Sequence, residues 1–428
     1  MTDRINVAIV GLGSRGKDCY AKVAEKYPED MKIVAIADPN RDRLEEVAKH
    51  YQIPEEQCFT TAELLLDKER MADAIIIATQ DRQHVAQAKV ALEKGYHILL
   101  EKPISPDPVE CRELELAAKK SDRKVVVCHV LRYTPFFMKV KEVIDSGKLG
   151  DVVTIMGIEN VGYFHQAHSF VRGNWANSEE TSPMILAKCC HDLDLYIWLT
   201  GKTPKSLSSF GNTFLFKKEK APAGATKRCL EGCKVKEDCP YDAQKIYLDG
   251  EYGVRSGVTT WPVSVLAQVP TEESILEALR TGPYGRCVYY CDNNVVDHQV
   301  VNIEMTDGAL INFTMGAFTA TISRYCKIMG TMGELIGCMD SNTITVTAFG
   351  QEPEVIDVGE LAVDLSGHAG GDVVMVKDFL DAIKEGGVMK DNMSTLEVSM
   401  DSHYLAFAAE ESRINGGKVI QLKDFKNF

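Results

Sequence analysis

The sequence predicts an α/β protein with an N-terminal doubly wound parallel sheet and a second α/β unit that has an open, mostly antiparallel sheet. Three observations support this prediction. The strand-like run 5–10 leads directly into a glycine-rich turn at 11–16. Up to residue 128, short apolar runs alternate with helical patterns, which is typical of a parallel sheet covered by helices on both faces. Beyond Asp151, strand-like runs separated by Gly, Asp and Asn turns replace that alternation.

The glycine-rich turn has the spacing of a dinucleotide-binding fingerprint. Gly11 permits a tight turn, Gly13 lets the backbone approach a pyrophosphate, and Gly16 lets the following helix pack on the strand. The N–H groups at the start of that helix would face the phosphates. Because strand, turn and helix occur in the required order, we interpret the segment as the start of a Rossmann domain, with Ser14 and Arg15 among its cofactor-binding residues.

The other elements of this domain follow in order. Strands are predicted at 32–37, 74–78, 97–100 and 124–128, and helices at 41–51, 84–94 and 107–121. In such sheets, ligands bind beyond the carboxyl ends of the strands. One edge of the sheet is therefore expected to carry the cofactor-binding residues Gly11, Asp38, Thr79, Gln80, Glu101 and Lys102.

The end of the second strand bears on the choice of cofactor. The Asp38 carboxylate would accept hydrogen bonds from ribose hydroxyls and repel a 2′-phosphate, which favours NAD over NADP. Arg41 is close enough in sequence to accommodate a 2′-phosphate, so it joins the cofactor-binding candidates. The simpler interpretation of Arg41 is a solvated residue in the first turn of a helix.

The second unit is predicted from strand-like runs at 151–161, 204–214, 298–306, 309–319, 324–330, 334–340 and 342–350, with helices at 182–199, 372–385 and 394–414. We expect residues 1–130 to form the nucleotide-binding domain. Residues 131–428 would form a substrate-binding and oligomerisation domain, with an insertion at about 215–296.

Composition excludes several classes of protein. The chain has 428 residues, of which 45% are hydrophobic, so sizeable cores are expected. A formal net charge of -14 argues against nucleic acid or an anionic membrane as partners. No apolar run approaches transmembrane length, and the N-terminus lacks the profile of a signal peptide. The expectation is a cytoplasmic protein.

Five sequence features together resemble the Gfo/Idh/MocA oxidoreductases, the group of glucose–fructose oxidoreductase and inositol dehydrogenase. The resemblance implies a Rossmann domain followed by an open-sheet α/β domain, with a nicotinamide held between them. It also implies homodimers or homotetramers packed through the open sheet. The features are Gly11-Leu12-Gly13, Ala35-Ile36-Ala37-Asp38-Pro39-Asn40, His84 with Ala91-Leu92-Glu93-Lys94-Gly95, Glu101-Lys102-Pro103, and Cys190-His191-Asp192-Leu193-Asp194. We add His84 to the cofactor-binding set.

Two side chains match catalytic positions of the family. Lys102 matches the active-site lysine, and a cation beside the nicotinamide would stabilise a developing alkoxide and relay a proton. His191 matches the catalytic histidine, the base that takes the hydroxyl proton. The alternative for His191 is a histidine with a structural role in the core.

One position departs from the family pattern. Many members carry an aspartate four residues before the histidine, where this chain has Ala187 followed by Lys188. Lys188, His191 and Asp192 would share one face of the predicted helix 182–199. We therefore predict Lys188 as a second active-site cation and Asp192 as a substrate-binding residue.

A polar and aromatic cluster precedes this helix. Such a cluster suits a carbohydrate, because hydroxyls need planar donors and acceptors and sugar faces stack on aromatic rings. The alternatives are a polar surface loop and, with weaker support, a zinc site at His165 and His168. The predicted substrate-binding residues are Tyr163, His165, His168, Arg172 and Trp175, with Arg132 and Tyr133 expected to line the same cleft.

Five of the 13 cysteines cluster within or at the end of the predicted insertion: Cys229, Cys233, Cys239, Cys287 and Cys291. Their short spacings suggest a structural zinc site with four cysteine ligands, which would fold a segment with little apolar core of its own. An iron–sulfur cluster is the second interpretation, and free thiols are the third.

These observations predict an NAD-dependent oxidoreductase that transfers a hydride between nicotinamide and a hydroxyl of a sugar, sugar derivative or cyclic polyol. One alternative is a redox-neutral enzyme that cleaves glycosides with tightly bound NAD. Another is an NAD-responsive regulatory protein without catalysis, against which the intact Lys102 and His191 argue.

Overall fold

A computed structural model describes residues 4–359 and 370–426, and within them the chain forms two sheets. The first sheet contains six parallel strands in the order β3-β2-β1-β4-β5-β6. The doubly wound parallel sheet is therefore confirmed. The strands are β1 (Ile5–Val10), β2 (Met31–Ala37), β3 (Cys58–Phe59), β4 (Ala74–Ile77), β5 (His97–Leu100) and β6 (Val125–Val127). The sequence did not predict β3, because two residues are too short for a recognisable apolar run.

The register of this sheet places its functional residues at one edge. Val10 at the end of β1 is aligned with Ala37 on β2 and with Ile77 on β4. The three strands therefore end level with one another. The glycine-rich turn, Asp38 and Thr79 follow those ends and meet at the same edge of the sheet.

Helices cover both faces of the first sheet. The glycine-rich turn leads into wide π-helical turns at Ser14–Ala21 and then a short α-helix at Val23–Lys26. Side-chain caps fix two helix starts: Asn40 accepts from the Arg43 N–H, and Asp107 accepts from the Val109 N–H. The other helices of this part are Arg41–Tyr51, Ala62–Leu66, His84–Glu93, Pro108–Lys120 and Pro135–Asp145.

The second sheet has nine strands among the described residues, in the order β14-β13-β12-β11-β7-β10-β9-β8-β15. Among the described strands of this sheet, only β7 and β10 pair in parallel, so the mostly antiparallel sheet is confirmed. The strands are β7 (Val152–Asn160), β8 (Pro204–Asn212), β9 (His298–Met305), β10 (Leu310–Gly316), β11 (Ser323–Gly330), β12 (Gly333–Cys338), β13 (Thr343–Ala348), β14 (Glu354–Asp357) and β15 (Ile420–Gln421).

Within the part of the chain that the structure describes, one face of the second sheet packs on helices and the other is left uncovered. On β7, Ile155 and Glu159 are buried, while the alternate residues Met156 and Ile158 point outward and are exposed. The helices Cys190–Thr200 and Leu396–Ile414 cover the buried face. Among the described residues, no helix combines the length and the apolar character that a membrane crossing requires.

The chain returns to the first sheet near its end. Helix Gly371–Ile383 packs Met375 and Val376 against the core around Val7 and Ile9 of β1. Residues well beyond position 130 therefore contribute to the core of the nucleotide-binding part.

The single helix predicted at 182–199 is wrong, because the structure contains two helices, Met184–Ala187 and Cys190–Thr200, with a break at Lys188 and Cys189. A continuous helix would use the Ala187 carbonyl for the N–H of residue 191. Instead, the Lys102 Nζ donates to that carbonyl at 2.8 Å. The shared helical face proposed for Lys188 and His191 therefore does not exist.

The segment between β8 and β9 folds as short helices around its own core. This corrects the expectation that it has little apolar core. Its buried residues include Tyr247, Leu248, Val263, Ile275 and Leu279, and they pack against Phe164 and Val171. The helices are Tyr163–His165 and Gln166–Arg172 before β8, and then Lys218–Lys220, Lys236–Asp238, Lys245–Asp249, Val254–Ser256, Val263–Leu266, Glu272–Thr281 and Pro283–Gly285.

Candidate active site

The glycine-rich turn fits a dinucleotide. Gly11 has φ +87°, and a Cβ there would overlap the Ala78 carbonyl. A Cβ at Gly16 would overlap the Gly11 carbonyl, so the helix can approach the strand only with glycine at this position. Gly13 has no atom within 4 Å of where its Cβ would lie, so its backbone is open to a ligand. These are the three roles that the fingerprint assigns to its glycines.

Asp38 lies beside this turn. One carboxylate oxygen accepts from the Leu12 N–H at 2.6 Å, and the other accepts from the Asn40 N–H at 2.8 Å. Each oxygen keeps a lone pair for a ribose hydroxyl. Arg41 is exposed at the start of its helix, while Arg43 lies 4.0 Å from Asp38. Arg43 was not among the sequence candidates, because only the helix geometry turns it toward Asp38.

Arg15 and Glu101 form a buried network behind the turn. Arg15 Nε lies 2.6 Å from Glu101 Oε1, and its Nη2 lies 2.5 Å from Asp372. Tyr20 donates to Glu101 Oε1, and the Lys102 N–H donates to Oε2 at 3.0 Å. Burial opposes the Glu101 charge, but Arg15 and Lys102 outweigh it and hold the pKa of that carboxyl below its usual range. Glu101 and Arg15 therefore anchor the backbone that presents Lys102.

His84 ties the neighbouring loops together. Its Nδ1 lies 2.7 Å from the Pro103 carbonyl, and its Nε2 lies 3.2 Å from the Thr79 carbonyl. Thr79 in turn donates to Gln87 at 2.7 Å. His84 therefore fixes the loop after β4, which carries Thr79 and Gln80, relative to the turn after Lys102.

Lys102 reaches across to the second unit. Its Nζ donates to the carbonyl of Ala187, which lies three residues before Cys190, the first residue of the helix that carries His191. The Lys102 charge lowers the pKa values of both His129 and Lys188, although burial is the larger cause in each case. His129 and Lys188 therefore lie within electrostatic range of the Lys102 ammonium.

Lys188 belongs to a buried network of alternating charges. Its Nζ lies 3.3 Å from Glu159, and Arg324 contacts both Glu159 and Asp192 at 2.8 Å. Burial lowers the pKa of Lys188 and raises that of Glu159, and their mutual attraction opposes both shifts. Asp192 is engaged by Arg324 through both oxygens. The sequence did carry a signal for Glu159, an acid at an inward position of an alternating strand.

His191 is nearly buried, with 8% of its surface exposed, and packs edge-on against His129 at 5.7 Å between ring centroids. Among the described residues, neither ring nitrogen of His129 has a hydrogen-bond partner, and Nε2 lies 3.9 Å from Asp194. Burial lowers the pKa of His129, and Arg132 and Lys102 act in the same direction. His129 was not predicted, although it directly follows the last strand of the first sheet.

Comparison with known proteins matches both parts of the chain to one family. Residues 5–129 match the oxidoreductase family, NAD-binding Rossmann fold, and residues 141–421 match the oxidoreductase family, C-terminal alpha/beta domain. The chain belongs to the Gfo/Idh/MocA oxidoreductase family. The resemblance inferred from sequence is confirmed, and the protein is an oxidoreductase with an NAD-binding domain.

Relatives and solved structures extend the family match. A Bacillus subtilis (strain 168) protein, YteT, is 25% identical over 394 residues, covering 87% of this chain and 88% of YteT. An inositol 2-dehydrogenase of Corynebacterium glutamicum (strain ATCC 13032) is 27% identical over 202 residues, 47% of this chain and 56% of that enzyme. An inositol dehydrogenase homolog complexed with NAD+ from Azotobacter vinelandii has a TM-score of 0.69 at 16% identity, covering 98% and 97% of the two chains.

Within this family fold, two residues expected to line the cleft are buried instead. Arg132 Nε and Nη2 donate to the two Asp194 oxygens at 2.6 Å, and both side chains are 1% exposed. The Tyr133 hydroxyl accepts from the Ser394 N–H at 3.3 Å, and the residue is fully buried. Their polar groups are used within the protein, so they support the floor of the site.

His165 stays close to the cleft. Burial lowers the pKa of its ring, and Lys188 and Lys102 act in the same direction, so it lies within electrostatic reach of both amines. The Trp261 ring lies 5.0 Å from it. Tyr163 and Trp175 are partly exposed near it along the chain, and the Trp175 Nε1 points to Asp81 at 3.5 Å. Trp261 was not predicted as a neighbour of His165, because it lies about 96 residues further along the chain.

His168 and Arg172, expected in the cleft, face the opposite way. The His168 Nδ1 lies 2.9 Å from the Tyr247 hydroxyl, and its ring stacks on Tyr284 at 4.8 Å. Arg172 is 1% exposed and contacts the cysteine-containing segment. Both residues join that segment to the rest of the domain, and neither reaches the Lys102 side.

The cysteines are close together but do not form the predicted zinc site. All five are free thiols. Across residues 4–359 and 370–426, no group of three or more His, Cys, Asp or Glu side chains is arranged to hold a metal ion. The expectation of zinc is therefore unsupported, both at the cysteines and at His165 and His168.

Proposed function

We propose that this protein is an NAD-dependent dehydrogenase of a hydroxyl group on a polyol, sugar or sugar derivative, with Lys102 and His191 performing the proton chemistry. The observation that supports this most directly is the bond from the Lys102 Nζ to the Ala187 carbonyl. It brings the ammonium from the cofactor edge of the first sheet to the start of the helix that carries His191.

Alcohol oxidation removes a hydride from carbon and a proton from oxygen. When bound, NAD supplies the hydride acceptor. The protein's own residues stabilise the developing oxyanion and accept the proton. We assign the first task to the Lys102 ammonium and the second to the His191 imidazole, because these groups suit such charges and proton transfers.

Lys188 contributes charge to the site rather than a proton. Its pairing with Glu159 keeps it inside the protein network, with 17% of its side chain exposed. It replaces the family's usual pattern, in which an aspartate occupies the position of Ala187. We therefore expect Lys188 to raise the local positive potential beside Lys102, and Asp192 to hold Arg324 rather than substrate.

We infer the substrate class from the residues that line the cleft and from the relatives of the chain. His165, Tyr163 and Trp175 offer planar donors and aromatic surface, which suit hydroxyl-rich rings. A family relative is an inositol 2-dehydrogenase. Cyclic polyols are therefore the first compounds to test, followed by free sugars and their acids.

The experiment compares Lys102→Ala and His191→Ala with Lys120→Ala, a control on an exposed lysine of the helix Pro108–Lys120. Each variant is incubated with NAD and a panel of inositols, sugars and sugar alcohols, and reduced nicotinamide is measured. Loss of a proton-transfer group should lower turnover by about 10²- to 10⁴-fold. The control should retain turnover, and all three variants should still bind NAD.

Two outcomes would contradict the assignment. Wild-type turnover in either active-site variant would remove that residue from the mechanism. Stoichiometric NAD released on denaturation, together with glycoside cleavage that needs no added cofactor, would favour the redox-neutral alternative.

We also propose that a second copy of the chain covers the open face of the second sheet. Met156, Ile158 and Leu310 are exposed on that face, and exposed apolar surface of this kind typically marks an interface. The molecular mass in solution tests this, and Met156→Lys should shift the protein toward monomer.

A further inference from the structure

The cysteine-containing segment encloses a small cavity, which we call the cysteine cavity. Its thiol lining comes from Cys229, Cys233, Cys239 and Cys287, and Arg172 lines it as well. Cys291 does not line it, because its thiol donates to the Cys287 carbonyl at 3.4 Å. Four cysteines from two distant stretches of chain therefore line one small cavity.

Arg172 introduces a positive charge that nothing nearby neutralises. It is 1% exposed, and among the described residues it forms no ion pair with a carboxylate. It donates to the carbonyls of Arg286 and Tyr241, and its Nη2 lies 3.7 Å from the Cys229 sulfur. Its Nη1 has no hydrogen-bond partner. Burying a cation in this way is costly unless an anion completes the site.

The acid that also lines the cavity is already engaged elsewhere. Asp242 accepts from the N–H groups of Gln244 and Lys245 at 3.0 and 3.2 Å. This carboxylate caps the next helical turn, so it is not the missing counter-ion. The remaining candidates for negative charge are the thiols themselves.

We propose that Cys229, Cys233, Cys239 and Cys287 bind an iron–sulfur cluster in the cysteine cavity, with Arg172 compensating its negative charge. The cluster joins the stretch 229–239 to the stretch around Cys287. It thereby holds the segment against the helix Gln166–Arg172, which lies beside the cleft. This inference rests on the cysteine cavity alone and is independent of the proposed dehydrogenase activity.

A cluster fits the cavity better than a single ion. A zinc ion needs its sulfurs to converge at about 2.3 Å from one point, and the described residues contain no such convergent group. A cluster needs its four thiolates spaced around a core, each on a different iron in the four-iron form. The four cysteines line one cavity without forming such a convergent group, which favours a cluster over a single ion.

The first experiment uses the intact protein purified without oxygen or chelator. Iron, acid-labile sulfide and zinc are measured per chain, together with visible absorption. We expect about four iron and four sulfide per chain, or about two of each for the smaller cluster. Zinc near one per chain without sulfide would overturn the proposal, and so would protein that holds no iron after reconstitution with iron and sulfide.

Variants then test the ligand set. Cys239→Ser and Cys287→Ser should lose most of the iron and sulfide, whereas Cys291→Ser, the matched control from the same segment, should retain them. Iron loss in Cys291→Ser alongside retention in Cys239→Ser would contradict the assignment. NAD binding by Cys239→Ser shows whether the first domain is still folded, so a general failure to fold is recognised separately.

Discussion

Buried arginines on the two sides of the segment 163–172 are neutralised differently. On the Lys102 side, Arg132 meets Asp194, and Arg324 meets both Glu159 and Asp192. On the cysteine side, Arg172 donates to two carbonyls and lies beside the Cys229 thiol and the Tyr247 hydroxyl, and among the described residues it forms no ion pair with a carboxylate. The first side is balanced by the protein's own carboxylates. The second becomes balanced only when the thiols ionise, which a bound metal cluster would cause.

The two sides of the segment 163–172 therefore contain two kinds of buried polar network. A complete ion-pair network holds catalytic groups in place and needs no ligand for its stability. An incomplete one contributes binding energy when its ligand arrives. The variants below should therefore differ in both size and ligand dependence between the two sides.

The largest loss of stability is expected from breaking the buried ion pair between Arg132 and Asp194. Asp194→Asn leaves the Arg132 guanidinium buried without an anion, and removal of one partner from a buried pair costs about 3–5 kcal/mol. We expect a loss of that size in the free energy of unfolding, measured by chemical denaturation. The double variant Arg132→Met/Asp194→Leu should recover much of it, because neither charge is then left unpaired. Equal losses in the single and double variants would show that the pair itself is not responsible.

An intermediate loss of stability is expected as the pH falls. The His403 Nε2 accepts from the Ile104 N–H at 2.9 Å, so the ring must stay neutral for this bond to persist. Burial lowers the pKa of His403 to about 3, and burial likewise lowers that of His168 on the cysteine side to about 3. Each folded pKa lies below the unfolded value of about 6.5. The stability is therefore fully present above about pH 6.5 and is lost as the pH falls toward 3.

His403→Gln tests this dependence. The unfolding free energy should fall less steeply between pH 6 and 4, by up to about 1.4 kcal/mol per pH unit for the one proton removed. His168→Gln should flatten the curve similarly, because burial is the main cause at both positions. An unchanged slope in both variants would mean that other groups control the acid response.

Much of the fold was accessible from sequence because its signals are local. The turn 11–16, the strand ends at Asp38 and Lys102, and the alternation of β7 each depend on neighbouring residues. The helix break at Lys188 could not be predicted from sequence, because it accompanies a hydrogen bond from Lys102, which lies 85 residues from Ala187 in the chain. Arg172 was wrongly expected in the substrate cleft, because its contacts in the structure also come from residues that are distant in the sequence. Its partner, the Arg286 carbonyl, lies 114 residues away.

The smallest effect on stability is expected from removing the unbalanced cation when no cluster is present. In a Cys239→Ser background, Arg172→Met removes an uncompensated charge but also leaves two carbonyls without their donor. These contributions have opposite signs, and each carbonyl bond is worth about 1 kcal/mol. The net change in unfolding free energy should therefore stay below about 2 kcal/mol.

The same substitution should matter more when all four thiols are present, because it removes the charge that compensates the cluster. Arg172→Met alone should lower the iron and sulfide content, whereas Arg172→Lys should preserve more of both. A loss of 3–5 kcal/mol for Arg172→Met in the Cys239→Ser background, equal to that expected for Asp194→Asn, would mean that Arg172 is already balanced within the protein. The contrast between the two sides would then not hold.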